Sequence, residues 1–322
     1  MDDLGAGRSR FAPLLRDDAG ASAHVCVGLP PAGQETLSAL ANWIIAEENA
    51  NPTVGSAVTD IVGILHDIAD GETLEVMARL VHSPSSGSVI LGGIQVGDRE
   101  DVLTNLERGL RETLGREFGV TVESVQRHGR PILRLQRPVD SENAVRVSDV
   151  WIAHRDSCLW LAAGGENAHE MIRTAADRCG QSGRAIRARL VTAKLDMEHW
   201  MSWPKDDPTG LATLPKWIDS SEGVSSLMAW TPFGREAMAD PTPLLDKVMA
   251  SQGSKKAWLT LDARKSGLSV EVELGAPLAD WFLARQIDAQ ENYMQQMKKK
   301  SEEAVREAAA AAEKPQESTA DN

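Results

Sequence analysis

The chain has 322 residues, of which 42% are apolar, and its formal net charge at pH 7 is −13. This length can hold two ordinary domains or one large one, with enough apolar side chains for a core. A charge of this sign repels nucleic-acid phosphates and anionic lipid headgroups, and no run approaches the ~20 apolar residues that span a bilayer. We therefore expect a soluble globular protein that neither binds nucleic acid nor inserts into a membrane.

The N-terminal part of the chain is predicted to form a flexible segment, a strand and two helices. Residues 1–22 contain Gly, Asp and Arg without apolar periodicity, which is typical of a flexible segment. The apolar run at residues 24–29 ends at two prolines and predicts a strand. Apolar residues at helical spacing over 37–44 and 54–68 then predict two helices, each with a core-facing stripe.

Three β-hairpins and two helices are predicted in the next part of the chain. Alternating apolar residues flank turn-forming residues at three places, which are residues 83–87, 128–129 and 156–157. Asp98 is predicted to cap a helix whose inner face runs from Val102 to Leu114. A helix over about residues 167–178 closes this part.

The second half of the chain is similar in pattern to the first. A strand is predicted at 187–195, a Trp-rich stretch follows, and another strand is predicted at 224–230. A hairpin over 257–274 then precedes a helix, as the hairpin over 74–96 does. This internal similarity predicts two related modules, which are residues 23–183 and 184–290.

The end of the chain is predicted to be a helix and a tail. Strong helix formers continue from Pro277 to about Glu313, and apolar residues become sparse after Met297. Residues 291–313 are therefore expected to project as a charged helix, and residues 314–322 to be disordered.

The predicted fold class is α+β. We expect a mostly antiparallel sheet built from hairpins, with helices packed on one side, because no run of β-α-β alternation appears.

Cysteine and histidine spacing predicts no metal site and no cofactor. Cys26, Cys158 and Cys179 are far apart and lack C-x-x-C spacing, so they indicate neither a zinc site nor a disulfide framework. The spacing does not decide whether two of them form a single disulfide. The seven histidines also lack the short spacings of metal motifs, while their clustering in space stays open.

Two segments have some features of catalytic motifs. Residues 91–98 lead from a strand into a helix but lack G-x-G-x-x-G and a following Lys-Ser/Thr, so packing of a glycine-containing strand explains them better than a phosphate-binding loop. His66 and Asp67 could form an oriented base, or His66 could simply border the apolar stripe of its helix. We therefore predict no catalytic residues.

Tryptophan provides the one candidate binding surface. Trp200 and Trp203, with Trp217 nearby, could form an aromatic platform for a glycan or a proline-rich peptide. The alternative is that these large side chains close the side of a core.

Two of the predicted hairpins carry a resemblance to known proteins. The first contains Val120, Glu123, Gly129, Pro131, Leu133 and Leu135, and the second Trp151, Ala153, His154, Trp160 and Ala162. With the elements before them, these hairpins resemble uncharacterised exported bacterial proteins with repeated hairpin–helix modules, a domain of unknown function, over about residues 22–290. The resemblance implies no activity and no site residues. This sequence lacks a signal sequence, so we expect a periplasmic protein if Met1 is not the natural start and a cytoplasmic one otherwise.

These observations favour a non-catalytic structural or binding protein, with the cell envelope as a setting and a protein or a glycan as partner. The alternative is a hydrolase whose site is assembled from distant residues such as His66, Asp67, His128 or His154. A deep cleft holding several of these residues would favour the enzyme, and an open apolar surface the binding protein. A third hypothesis is oligomerisation through the terminal helix.

Overall fold

The protein is an α+β structure with an antiparallel sheet, as predicted. The computed structural model describes residues 8–16, 19–50, 56–71, 73–98, 101–136, 146–181, 186–187, 189–215, 245–264 and 267–313. The strands are β1 Arg8–Ser9, β2 Ala21–Gly28, β3 Thr73–Ser83, β4 Gly87–Gln95, β5 Thr121–Arg127, β6 Arg130–Gln136, β7 Asp149–Arg155, β8 Cys158–Gly164, β9 Ile186–Arg187, β10 Val191–Asp196, β11 Lys256–Arg264 and β12 Gly267–Leu274. The helices are α1 Pro31–Ala50, α2 Ser56–Asp70, α3 Val102–Phe118, α4 His169–Gln181, α5 Met197–Met201, α6 Leu245–Ala250 and α7 Ala276–Glu313.

Ten strands form one sheet in the order β12-β11-β10-β2-β3-β4-β8-β7-β6-β5, and β1 pairs separately with β9. Strand β10 hydrogen-bonds to β2 on one side, with Ala193 opposite Ala23, and to β11 on the other. The sheet is thus continuous across the boundary predicted near residue 183. The chain divides instead into one compact unit of residues 1–214 and 255–275 and another of residues 215–254 and 276–322.

Helices cover both faces of the sheet, whereas the sequence predicted one. Helix α3 packs through Val102, Leu103 and Leu106 against a cluster that includes Leu133 of β6. Helix α4 packs against a second cluster that includes Ile132, the neighbouring residue of the same strand. Adjacent strand residues point to opposite faces of the sheet. A strand that is apolar at consecutive positions therefore buries both of its faces, and each face requires a helix or loop packed against it.

Residues 9–14 contribute to the core, which corrects the prediction of a flexible segment for the described part of residues 1–22. Phe11 and Leu14 are buried, and the Phe11 ring meets Trp160 edge to face with the ring centroids 5.3 Å apart. A Cβ atom at Gly93 would lie 3.0 Å from the Phe11 ring, so this ring requires glycine beneath it. Phe11 begins the short apolar run at residues 11–15, and its ring fills a specific space on the sheet.

The start of α3 also differs from the prediction. The N-cap residue is Asp101 rather than Asp98, and its side chain makes no capping hydrogen bond. Asp98 accepts a hydrogen bond from the Ser157 hydroxyl instead, which ties the β7–β8 turn to the end of the segment after β4.

In the second compact unit, α7 runs for 38 residues, in agreement with the predicted helix. Every side chain described between residues 290 and 306 is exposed. The predicted strand at 224–230 and the predicted tail at 314–322 lie outside the described residues. Of the helices that the structure describes, none is both long and apolar enough to cross a membrane.

Candidate functional site

A cleft of about 210 Å³ lies between the β5–β6 hairpin, the end of β7 and helix α4. Its lining is unusually basic, and we call it the arginine cleft. The lining residues are Arg127, His128, Arg130, Pro131, Ile132, Ala153, His154, Arg155, His169, Ile172, Arg173 and Asp177.

Local structure brings three chain segments to this cleft. His128 has φ 52° and is followed by Gly129 at φ 74°, so the β5–β6 hairpin closes through a two-residue turn with both residues in the left-handed region. Strand β6 pairs with β7, and α4 begins at His169 after a single 3-10 turn at Glu166–Ala168. The hairpin turn and the first turn of α4 therefore meet at one edge of the cleft.

Trp151 on β7 supports the cationic groups around the cleft. This ring is fully buried, and the guanidinium carbons of Arg134 and Arg127 lie 5.1 and 6.0 Å from its centroid. The His169 ring lies 4.7 Å from the same ring. Cations are attracted to the face of an indole ring, so Trp151 stabilises positive charge at this place.

The arginines of the cleft differ in their partners. Arg155 forms ion pairs with Asp156 and Asp177, and Arg173 with Glu170 and Asp177. The Nε atoms of Arg127 and Arg155 are both buried and have no hydrogen-bond partner among the described residues, although Arg155 Nε lies 3.3 Å from Asp156 Oδ2. Since buried polar groups are normally hydrogen-bonded, the Arg127 Nε donor requires a partner that the described protein groups do not provide.

Two histidines and one glutamate converge at the edge of the cleft. His128 Nε2 lies 2.9 Å from Glu170 Oε1, and His169 Nε2 lies 3.4 Å from the same oxygen. The second oxygen of Glu170 accepts a hydrogen bond from Arg173 Nε at 2.9 Å. We call His128, His169 and Glu170 the histidine–glutamate cluster. The hydrogen bond from His128 is the largest influence on the pKa of Glu170 and lowers it. Burial acts in the opposite direction, but with the added effect of Arg173 the pKa stays below its usual range.

A second polar cluster lies beneath the N-terminal segment and is formed by Ser9, His24 and Glu75, which we call the buried cluster. Ser9 Oγ donates to Glu75 Oε1 at 2.6 Å, and His24 Nε2 lies 2.9 Å from the same oxygen. The backbone N–H groups of Arg10 and Phe11 also donate to this carboxylate, at 3.0 and 3.2 Å. These bonds attach the N-terminal segment to strands β2 and β3.

The buried cluster does not have the geometry of a catalytic triad, although it contains the three residue types. In a triad the serine donates to one histidine nitrogen and the acid holds the other. Here Ser9 donates to Glu75 directly, and both lie against the same nitrogen of His24. All three residues are buried, so the cluster is structural.

Burial and hydrogen bonding oppose each other at Glu75. Burial on its own raises the pKa of this carboxyl group, but the hydrogen bonds from His24, Ser9 and the backbone of Arg10 and Phe11 outweigh it, and the pKa is lowered. The carboxylate is thus kept ionised in the interior by its donors.

The predicted tryptophan platform is not open to solvent at its two described rings. Trp200 and Trp203 are each 5% exposed. Trp200 Nε1 donates to the carbonyl oxygen of Leu211 at 2.9 Å, and Trp203 stacks on His82 with the ring centroids 5.6 Å apart. These contacts match the alternative in which the rings close the side of a core. Trp217 lies outside the described residues.

The residues named for the hydrolase alternative separate into two places. His128 and His154 both line the arginine cleft, but His66 and Asp67 lie on α2 and are not among the lining residues. His154 Nε2 donates to the carbonyl oxygen of Gly97 at 2.9 Å, which orients this ring.

The other candidate motifs have structural explanations. Residues 91–95 lie within β4, so the glycine-containing segment belongs to a paired strand. The three cysteines are free thiols, and burial, as the leading cause, raises the pKa of Cys158 to about 11 and those of Cys26 and Cys179 to about 12. Thiols of this kind are poor nucleophiles at neutral pH.

Sequence reasoning did not select Arg127, Arg130, His169 or Glu170. The available signals were the His-Gly turn of a hairpin and a His-Glu pair at the start of a helix. Neither signal is specific, because the two segments are 42 residues apart and only the fold brings them together.

No family model, curated protein or solved structure among those compared matches the chain. The resemblance to exported bacterial proteins with hairpin–helix modules stays a prediction.

Proposed function

We propose that this protein is a non-catalytic binding protein whose arginine cleft holds a small anionic ligand with a carboxylate or phosphate group. Four arginines line the cleft against a single aspartate, in a chain whose formal net charge is −13. Guanidinium groups match the planar, bidentate geometry of carboxylate and phosphate oxygens. A local concentration of positive charge on an acidic protein favours one small anion over an extended polyanion.

The state of the individual arginines supports the same ligand class. Arg155 and Arg173 are held in place by ion pairs with acidic neighbours, so their positions are fixed before a ligand arrives. Arg127 Nε has no hydrogen-bond partner among the described residues, and the guanidinium group lies over the Trp151 ring. A bound oxyanion would supply the acceptor that this buried donor requires.

The composition of the lining favours binding over covalent catalysis. Among the described residues that line the cleft there is no serine, threonine, cysteine or lysine, the residue types that most often serve as nucleophiles. Asp177, the one carboxylate in the lining, is paired with Arg155. A hydrolase acting through a metal-bound water is the remaining enzymatic alternative, because His128 and His169 lie at the edge of the cleft.

The experiment is isothermal titration calorimetry of chelator-treated protein at low ionic strength, with inorganic phosphate and succinate as separate probes. We expect one site for at least one probe, with affinity that falls as salt is added. Arg127→Gln is expected to weaken binding about tenfold, which corresponds to about 1.4 kcal/mol.

The matched control is Arg108→Gln, which removes the same charge from an exposed position of α3, a helix on the opposite face of the sheet from α4. This variant should bind as the unmodified protein does. Absence of binding for both probes at millimolar concentration, or equal losses in the two variants, would contradict the proposal. Hydrolysis of a phosphate ester by the zinc-loaded protein would favour the enzymatic alternative.

A further inference from the structure

The histidine–glutamate cluster has the ligand types and spacing of a transition-metal site. One ligand atom from each of His128, His169 and Glu170 lies within 4.8 Å of the other two, and Glu170 Oε1 faces Nε2 of both imidazole rings. A zinc ion bonds to imidazole nitrogen at about 2.0–2.1 Å and to carboxylate oxygen at about 2.0–2.2 Å. The separations of 2.9 and 3.4 Å from the oxygen to the two nitrogens are close to those required around one such ion.

The orientation of His169 is fixed by a backbone group. His169 Nδ1 lies 3.1 Å from the carbonyl oxygen of Glu166. A carbonyl oxygen can only accept a hydrogen bond, so Nδ1 carries the proton, and in the neutral ring the lone pair of Nε2 points towards Glu170. Histidines that bind metals commonly donate their second N–H group to a carbonyl or carboxylate in this manner.

The glutamate is oriented in a comparable way. Arg173 Nε binds Glu170 Oε2, which leaves Oε1 facing the two imidazoles. A carboxylate oxygen and an imidazole lone pair both carry negative charge density, and they approach each other closely only with a cation between them. A proton on the ring is one such cation, and a divalent metal ion shared by all three groups is another.

We propose that His128, His169 and Glu170 bind one divalent transition-metal ion, with zinc as the expected metal, and leave its remaining coordination positions open to the arginine cleft. Two nitrogens and one carboxylate oxygen favour zinc over calcium or magnesium, which prefer sites made of oxygen atoms. Three protein ligands with an open position are also the arrangement of zinc sites that bind an exchangeable ligand. The site rests on its own geometry and does not depend on the anion proposed for the cleft.

His128 is the ligand whose side chain can move to complete the coordination of an ion. Its side chain is 56% exposed and lies on a two-residue hairpin turn, whereas His169 is 9% exposed and is held against Trp151. A small movement of the exposed ring would bring all three ligand atoms to bonding distance from one point.

The test uses the full chain without an affinity tag, stripped of metal with a chelator that is then removed. Zinc is titrated in competition with a chromophoric chelator, and mass spectrometry under native conditions gives the stoichiometry. We expect one ion per chain. His128→Gln should lower the zinc affinity about 100-fold or more, and Arg173→Gln, which only orients Glu170, about tenfold.

His154→Gln is the matched control, because His154 lines the same cleft but is outside the cluster. It should bind zinc as the unmodified protein does, and circular dichroism should show that each variant is folded. Cobalt is the second probe: the unmodified protein should give the visible absorption of a cobalt ion in a low-symmetry site, and His128→Gln should not.

Failure of the unmodified protein to bind zinc, or equal losses in His128→Gln and His154→Gln, would overturn the metal site. Anion binding is measured separately on metal-free protein. Loss of the metal site with anion binding retained would therefore refute this inference alone, and the reverse result would refute only the proposed function.

Discussion

Among the described residues, two clusters bring a histidine into contact with a glutamate, and they lie in very different surroundings. In the buried cluster Glu75 is 0% exposed, and its carboxylate receives hydrogen bonds from Ser9, His24 and two backbone N–H groups. In the histidine–glutamate cluster the Glu170 side chain is 30% exposed and His128 is 56% exposed. The pKa of each glutamate is below its usual range, but at Glu75 hydrogen bonds overcome burial, and at Glu170 the bond from His128 is the largest cause.

The difference shows how the same residue types serve stability in one place and binding in another. A buried carboxylate must have its hydrogen-bond donors at all times, so the folded protein itself has to supply all of them. A carboxylate at the edge of a cleft can exchange its partners with water or a ligand at little cost. The predictions below test this difference by removing charge from each cluster in turn.

Removal of the buried carboxylate is expected to have the largest effect. Glu75→Ala leaves His24, Ser9 and two backbone N–H groups without their acceptor, so we expect the free energy of unfolding to fall by about 3–5 kcal/mol. Urea denaturation followed by circular dichroism measures the change. A loss below about 1 kcal/mol would show that the buried cluster does not hold the N-terminal segment on the sheet.

Glu75 also explains why the N-terminal segment could not be predicted from sequence. Phe11 and Leu14 belong to the short apolar run at residues 11–15, which contains Pro13 and forms no strand. The position of Phe11 depends on an acceptor that lies 64 residues away along the chain. By contrast, α7 was predictable because helix formers continue without interruption, and the β5–β6 hairpin because a His-Gly turn separates alternating apolar residues. Local patterns suffice for such elements.

The histidine–glutamate cluster was unpredictable for a related reason. His128 lies in a hairpin turn and Glu170 at the start of a helix, and each is unremarkable in its own segment. Their contact depends on the pairing of β6 with β7 and of β7 with β8, and on the packing of α4 against that face. The tryptophans show a different limit of sequence reasoning, because their pattern was compatible with both a surface platform and a core role. Trp200 and Trp203 are buried in the structure.

The stability of the protein is expected to fall in acid, and Glu75 should account for part of the fall. The pKa of this carboxyl group is lower in the folded protein than in the unfolded chain, so its contribution is complete above the unfolded value of about 4.3. The contribution is lost as the pH falls through the lowered folded value, because protonation removes acceptors that the donors require. Denaturation midpoints between about pH 3 and pH 7 measure this loss.

Glu75→Gln is the comparison for the pH series, since the amide keeps the size of the side chain but does not titrate. The variant should be less stable at neutral pH and should show a shallower decline in acid. If both proteins decline in parallel, other carboxylates account for the acid sensitivity, and the pKa of Glu75 is not lowered by folding.

Removal of the exposed carboxylate is expected to have the smallest effect on stability. Glu170→Gln breaks ion pairs with His128 and Arg173 at a partly exposed position, where such pairs contribute about 0–1 kcal/mol. The same urea denaturation, on metal-free protein, should therefore give nearly the value of the unmodified chain. Zinc titration should nevertheless show a large loss of affinity, because the amide oxygen is a much weaker ligand than a carboxylate.

Together these two measurements on Glu170→Gln separate a binding role from a structural one. If the variant is as stable as the unmodified protein but no longer binds zinc, Glu170 has a binding role in the histidine–glutamate cluster. A variant destabilised by about 3 kcal/mol in the absence of metal would place Glu170 in the same structural role as Glu75. The matched variant Glu107→Gln, which breaks an ion pair with Arg111 on α3, should change neither quantity by a comparable amount, because that pair lies outside both clusters.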